Sequence, residues 1–129
     1  MRYNRGLKEG YKSGLEDKVA KQLESKGLPV EYEQYKIKFI QPAKNRTYTP
    51  DFKLGSFFVE TKGRFTLSDR QKHVFIKNES PELDIRFVFQ NSKQKLSKGA
   101  KTTYADWCIK NGFLYADKLI PKEWLEEII

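Results

Sequence analysis

Sulfur and imidazole are almost missing from this chain, which has one cysteine, Cys108, and one histidine, His73, in 129 residues. A lone thiol excludes an intramolecular disulfide and fits a reducing compartment. Long apolar runs are missing too, and nothing reaches the length of a signal h-region or a membrane span. Acidic residues are in the minority, with 17 Asp and Glu against 25 Lys and Arg, for a formal charge of +8. Such an excess suits a polyanionic partner through phosphate neutralisation and counterion release, although a highly charged, solvated surface gives the same sum. What is present is aromatic: nine Phe, seven Tyr and two Trp within a 38% hydrophobic content. That is enough apolar mass for the core of one small domain, and the length leaves no room for a second.

The first dozen residues, MRYNRGLKEGYK, are basic and without period, and predict a flexible arm over 1–12. SGLEDKVAKQLESKG predicts a helix, with Ser13 as N-cap, Leu15, Val19 and Leu23 on one face and Gly27 as the stop. From Val30 to Ile40 polar and apolar residues alternate, with a phase shift between Tyr32 and Tyr35 that predicts a bulge or an edge strand. QPAKNRTYTP reads as a polar connector bounded by prolines. DFKL and FFVETKG are strands separated by Gly55-Ser56, a Gly-first pair suited to a two-residue type II′ hairpin. A helix from Ser68 to about Asn78, the turn SPEL and a strand DIRFVF follow. The remainder is a Lys-rich loop, a helix around YADWCIKNG, a short extended FLYADKLI and a last turn or helix opened by Pro121. The fold class is α/β, a short mixed sheet flanked by helices.

With Gly55 and Ser56 as the turn, Leu54 pairs with Phe57 and Phe52 with Val59, which sets Asp51 opposite Glu60. Like charges facing each other across a strand pair destabilise it. A divalent cation offsets that cost, because Mg²⁺ takes one or two carboxylates at roughly 2.0–2.1 Å and keeps several waters. Lys62, two residues on, points to the face of Glu60. Two acids, a cation and an amine suit phosphodiester hydrolysis: the metal polarises a phosphoryl oxygen and acidifies a water, and the ammonium orients that water or stabilises charge on phosphorus. The alternative is a solvent-facing hairpin in which Lys62 pairs with Glu60 and Asp51 caps a turn. Glu16 is open between two roles, as the Glu of a Ser13–Glu16 capping box or as a further metal ligand.

Five blocks in order, SGLEDKVAKQLESKG, YTPDF, FVETKG, PELDIR and ADKLIPKEW, closely resemble the bacteriophage endonuclease I family of junction-resolving enzymes, within the PD-(D/E)xK nuclease superfamily. The resemblance spans Ser13 to Trp124 and implies a restriction-endonuclease-like core and a Mg²⁺- or Mn²⁺-dependent endodeoxyribonuclease with two ions per site. Its substrate would be four-way (Holliday) junctions and other branched DNA, in the cytoplasm of an infected bacterial host. By the family pattern Asp51 bridges the metals, Glu60 ligates one with help from the Thr61 carbonyl, Glu16 completes the second, and Lys62 acts on the attacking water. It also implies a domain-swapped homodimer, with residues 13–40 exchanged, 41–50 as the bridge, in which Pro42 and Pro50 favour an extended path, and 51–129 as the catalytic core. Two departures stand out: the turn KLGSFF is one residue tighter than the family pattern, and the chain lacks the expected basic tail.

Expected DNA contacts are Ser13, Arg64 beside the site, Arg70 and Lys72 at the start of the middle helix, and Lys93, Lys95, Lys98 and Lys101 in the loop. These suit backbone contact rather than base reading, so selectivity would come from branch shape. His73 is expected on the helix surface or near a phosphate, ahead of a general-base role. Cys108, Trp107 and Trp124 are expected to fill apolar space. Competing functions are a nuclease of the same superfamily directed at mismatches or plain duplex, and a basic DNA-binding module with a structural acid cluster.

Overall fold

The computed structural model describes residues 14–41 and 44–128; the basic arm, the Ser13 cap and Pro42 lie outside them. Helix α1 (Gly14–Ser25) buries Leu15, Val19, Ala20 and Leu23. It stops as predicted at Gly27, whose φ of +70° belongs to the left-handed region, and the Leu28 N–H donates to the Leu23 carbonyl at 3.0 Å in a Schellman closure.

The expected strand over Val30–Ile40 is divided in two. Glu33 takes a left-handed φ of +50°, so the phase shift is a break rather than a bulge. Before it, Tyr32 bridges Phe52; after it, β1 (Ile37–Gln41) pairs antiparallel with β2 (Lys44–Tyr48). Within QPAKNRTYTP, residues Lys44–Tyr48 are thus a strand paired antiparallel with β1, where a polar connector was expected.

Strands β3 (Phe52–Leu54), β4 (Phe57–Lys62), β5 (Ile85–Phe89) and β6 (Tyr115–Asp117) form a sheet in that order, with β3–β4 antiparallel and the other two pairs parallel. The predicted hairpin register is observed, Leu54 with Phe57 and Phe52 with Val59. Gly55 carries φ +54° and Ser56 stays negative, the pattern of the predicted type II′ turn.

Helix α2 (Leu67–Glu79) crosses from β4 to β5. It starts at Leu67, one residue before the start expected at Ser68: Thr66 is the N-cap, with Asp69 completing a capping box. Helices α3 (Tyr104–Asn111) and α4 (Lys122–Glu126) complete the chain.

Every residue of β5 is buried, as befits a central parallel strand. Val88 joins Leu23, Phe52, Val59 and Trp124 under α1 and α4. Ile85, Phe87 and Phe89 join Phe65, Ile76, Trp107 and Cys108 under α2 and α3. Helix α1 is tied down by a reciprocal pair: Gln22 Nε2 donates to the Ile120 carbonyl at 2.9 Å and the Ile120 N–H donates to Gln22 Oε1 at 3.0 Å. The outcome is an α/β fold, a mixed sheet with helices on both faces.

Candidate active site

In a two-residue hairpin the pairs flanking the turn alternate between hydrogen-bonded and non-hydrogen-bonded, so one step beyond Phe52 and Val59 the Asp51–Glu60 position is of the closer, non-bonded class. The next residue is Pro50, which has no N–H to extend the ladder. The free edge of β4 is taken over by a side chain: Asp51 Oδ2 accepts from the Thr61 N–H at 2.9 Å and from Thr61 Oγ1 at 2.8 Å. On its other side the Asp51 carbonyl accepts from the Glu33 N–H at 2.9 Å. Asp51 is thereby fixed at the end of β3, between the two faces of the sheet.

On the α1 side, carboxylate oxygens of Glu16, Glu33 and Asp51 lie within 4.8 Å of one another, with Glu16 and Asp51 buried and Glu33 half-buried. Three carboxylates this close on buried backbone suit a hard cation, whose oxygen ligands stand about 2.0–2.6 Å from it.

On the α2 side, Glu60 is buried and fully engaged. Its Oε1 accepts from the Tyr48 hydroxyl at 2.9 Å, and its Oε2 lies 3.4 Å from the Lys62 ammonium. Burial, then the Asp51 charge, pushes the Glu60 carboxyl up to about 7, against the opposing pull of Lys62, Lys72 and Tyr48. A carboxyl that keeps its proton near neutrality marks a place where a cation can take that proton's role. Lys62 is itself half-buried; burial lowers its affinity for a proton, and Glu60 and Asp69 more than reverse this, leaving it raised.

The pattern of the Phage endonuclease I family matches residues 2–129. The chain belongs to the phage endonuclease I family. It is 56% identical to "Endonuclease I" of Escherichia phage T7 over 118 residues, covering 91% of this chain and 79% of that protein. It is 52% identical to "Endodeoxyribonuclease 1" of Enterobacteria phage T3 over 118 residues, covering 91% and 78%. The enzyme is thus an endonuclease, and no helix among its described residues is long and apolar enough to cross a membrane.

In this endonuclease the structure brings Glu16 and Asp51, singled out from the sequence, into one acid cluster with Glu33, with Thr61 holding Asp51, while Glu60 stands outside that cluster, paired with Lys62 and Tyr48. Of the expected DNA contacts, Arg64, Lys93, Lys95, Lys98 and Lys101 are exposed. Arg70 is half-buried and donates to the Phe65 carbonyl at 2.6 Å, and the Lys72 ammonium lies 5.2 Å from the centre of the Tyr48 ring. Ser13 lies outside the described residues.

His73 corrects the expectation of a surface residue. It is fully buried, edge-on to Tyr48, Phe87 and Phe113, and among the described residues neither ring nitrogen has a hydrogen-bond partner. The other three assignments hold: Cys108, Trp107 and Trp124 are buried in the two apolar clusters.

Three residues at the site escaped sequence reasoning. Glu33 sits at the phase break that was visible but read as a bulge or an edge strand. Tyr48 was hidden in a stretch taken for a connector. Asp69 is the fourth residue of Thr66-Leu-Ser-Asp69, a capping-box spacing that marks the helix start above the end of β4.

Proposed function

We propose that this enzyme is a metal-dependent, structure-selective endodeoxyribonuclease that resolves four-way junctions and other branched DNA by paired phosphodiester hydrolysis, in the cytoplasm of the infected bacterial host. The observation that carries the reading is the placement of Asp51, locked by Thr61 and shared between the Glu16–Glu33 acids and the Glu60–Lys62 pair. The PD-(D/E)xK order on the hairpin of a mixed sheet, Pro50-Asp51 then Glu60-Thr61-Lys62, supports a restriction-endonuclease-like core. The deoxyribonuclease named in phage T3 supports DNA as the substrate.

Two Mg²⁺ or Mn²⁺ ions would be held here, one by Asp51 and Glu60 with the Thr61 carbonyl, the other by Asp51, Glu16 and Glu33. When bound, they supply Lewis-acid polarisation of the phosphate and a water of lowered pKa. Lys62 orients the attacking water and stabilises negative charge that develops on phosphorus. Tyr48 fixes the Glu60 carboxylate through its hydroxyl bond to Oε1. The Lys93–Lys101 loop, Arg64, Arg70 and Lys72 engage phosphates without reading bases.

The enzyme acts as a homodimer whose chains exchange residues 13–40. The reading is supported by the place of Glu16 on that segment: an exchanged arm would rebuild each site with a Glu16 from the other chain. A two-fold dimer also matches the pseudo-symmetry of a four-way junction.

Asp51→Asn tests the site. We expect junction binding within about twofold of the parent, with cleavage in Mg²⁺ lowered by roughly 10³-fold or more, in line with loss of a metal-activated nucleophile. Turnover retained in Asp51→Asn would reject the ligand role of Asp51.

A further inference from the structure

The Lys62 ammonium lies between two carboxylates, 3.4 Å from Glu60 Oε2 and 3.2 Å from Asp69 Oδ1. Asp69 divides its oxygens between two tasks. Oδ2 accepts from the Thr66 N–H at 3.0 Å, while the Asp69 N–H donates to Thr66 Oγ1 at 3.1 Å. Oδ1 accepts from Lys62. The two capping bonds fix Asp69 to the first turn of α2, whereas Lys62 ends a flexible four-carbon stem at the last residue of β4. The exposures match a shared, enclosed contact, 17% for the Lys62 side chain and 20% for that of Asp69.

The two partners of Lys62 are not equivalent. Glu60 is the acid that a cation would claim, and its attraction for the ammonium falls when it does. Asp69 stands in the first turn of α2 and is not one of the clustered acids Glu16, Glu33 and Asp51, so it keeps its charge for Lys62. Burial acts to raise the Asp69 carboxyl, and Lys62 with the Thr66 bonds outweighs it, so that the group is held below the usual carboxylate range.

We propose that Asp69 is a positioning residue of the reaction: through Oδ1 it holds the Lys62 ammonium at the reacting phosphate, with the backbone Thr66 N–H bond to Oδ2, which Thr66→Ala retains, as its fixed mount. This rests on the catalytic reading of Lys62 above. A purely structural Asp69 would act only through the stability of α2, and a second residue of the same box separates the two roles. Thr66→Ala removes the hydroxyl side of the box at a cost of about 1 kcal/mol and leaves Asp69 Oδ1 in place.

The test is Mg²⁺-dependent cleavage of a synthetic four-way junction by the full-length parent and by Asp69→Asn, Thr66→Ala, Lys62→Met and the Asp69→Asn/Lys62→Met double variant, with unfolding midpoints for each. Asp69→Asn is expected to lower kcat roughly 10- to 100-fold with little change in KM, the usual range for the partner of a catalytic group. Thr66→Ala is expected to match its loss of stability yet keep kcat within about twofold, and the double variant is expected to be no slower than Lys62→Met. Equal kcat in Asp69→Asn and Thr66→Ala, or additive losses in the double variant, would overturn the positioning role while Lys62→Met stays inactive. Full turnover by Lys62→Met would instead overturn the catalytic reading of Lys62, and the inference with it.

Discussion

His73 shows how much a single side chain can set. Burial first, then the Lys72 and Lys62 charges, hold its imidazole down to about 3 from an ordinary 6.5. Between those two values the unfolded chain binds a proton that the native state refuses, so stability is intact above pH 6.5 and declines as pH falls toward 3. His73→Phe, close in shape and surrounded by Tyr48, Phe87 and Phe113, removes that proton uptake. We expect the variant to exceed the parent at pH 4 by on the order of 3 kcal/mol more than any difference at pH 7, measured by urea denaturation at both pH values. A parallel pH dependence in the two proteins would refute this role. The reason His73 looked like a surface residue is physical: the face of α2 that carries it is covered by Tyr48 from β2, and no local pattern announces β2. Asp51, Glu60 and Lys62 were legible because a two-residue turn and a two-residue period fix their relation within fourteen residues of sequence.

At the scale of elements, what was legible was local. The α1 stop at Gly27, the type II′ turn, helix α2 and strand β5 each follow from turn chemistry or from a pattern contained in one segment. Pairing between distant segments was not legible: β1 joins β2 and not β3, because Glu33 turns the chain at +50° after a single bridge. The capping box of α2 was legible in Thr66 and Asp69 yet overlooked in favour of Ser68. The seam between β4 and α2 depends on Phe65, whose ring centre lies 4.9 Å from Trp107, 5.0 Å from Phe87 and 5.3 Å from Phe89. Its N–H donates to the Tyr104 hydroxyl at 3.2 Å. Phe65→Ala leaves a cavity shared by α2, α3 and β5, and is expected to cost about 3–5 kcal/mol in chemical denaturation. A loss below about 1 kcal/mol would show that the cluster repacks freely.

For the whole molecule, the α/β class, the mixed sheet and the basic excess were readable from one chain, whereas the homodimer is implied by the family resemblance alone. The site joins two regions far apart in sequence: Glu16 and Glu33 before the β1–β2 hairpin, and Asp51 to Lys62 after it. In the proposed dimer, an exchange of the first region between two chains would complete each site with the partner's arm. Sedimentation equilibrium across working concentrations is expected to give about twice the 15.2 kDa of the chain; a single species at the monomer mass would overturn the exchanged dimer. The charge of +8 predicts DNA binding that weakens steeply with added salt, as phosphate contacts require. Branch selectivity is the central claim, and one measurement addresses it directly: cleavage of a four-way junction and of a linear duplex of the same sequence, side by side, in Mg²⁺ and in EDTA. The account predicts paired nicks in the junction with Mg²⁺, little cutting of the duplex and none of either in EDTA. Equal cutting of junction and duplex, or cleavage that survives EDTA, would contradict it.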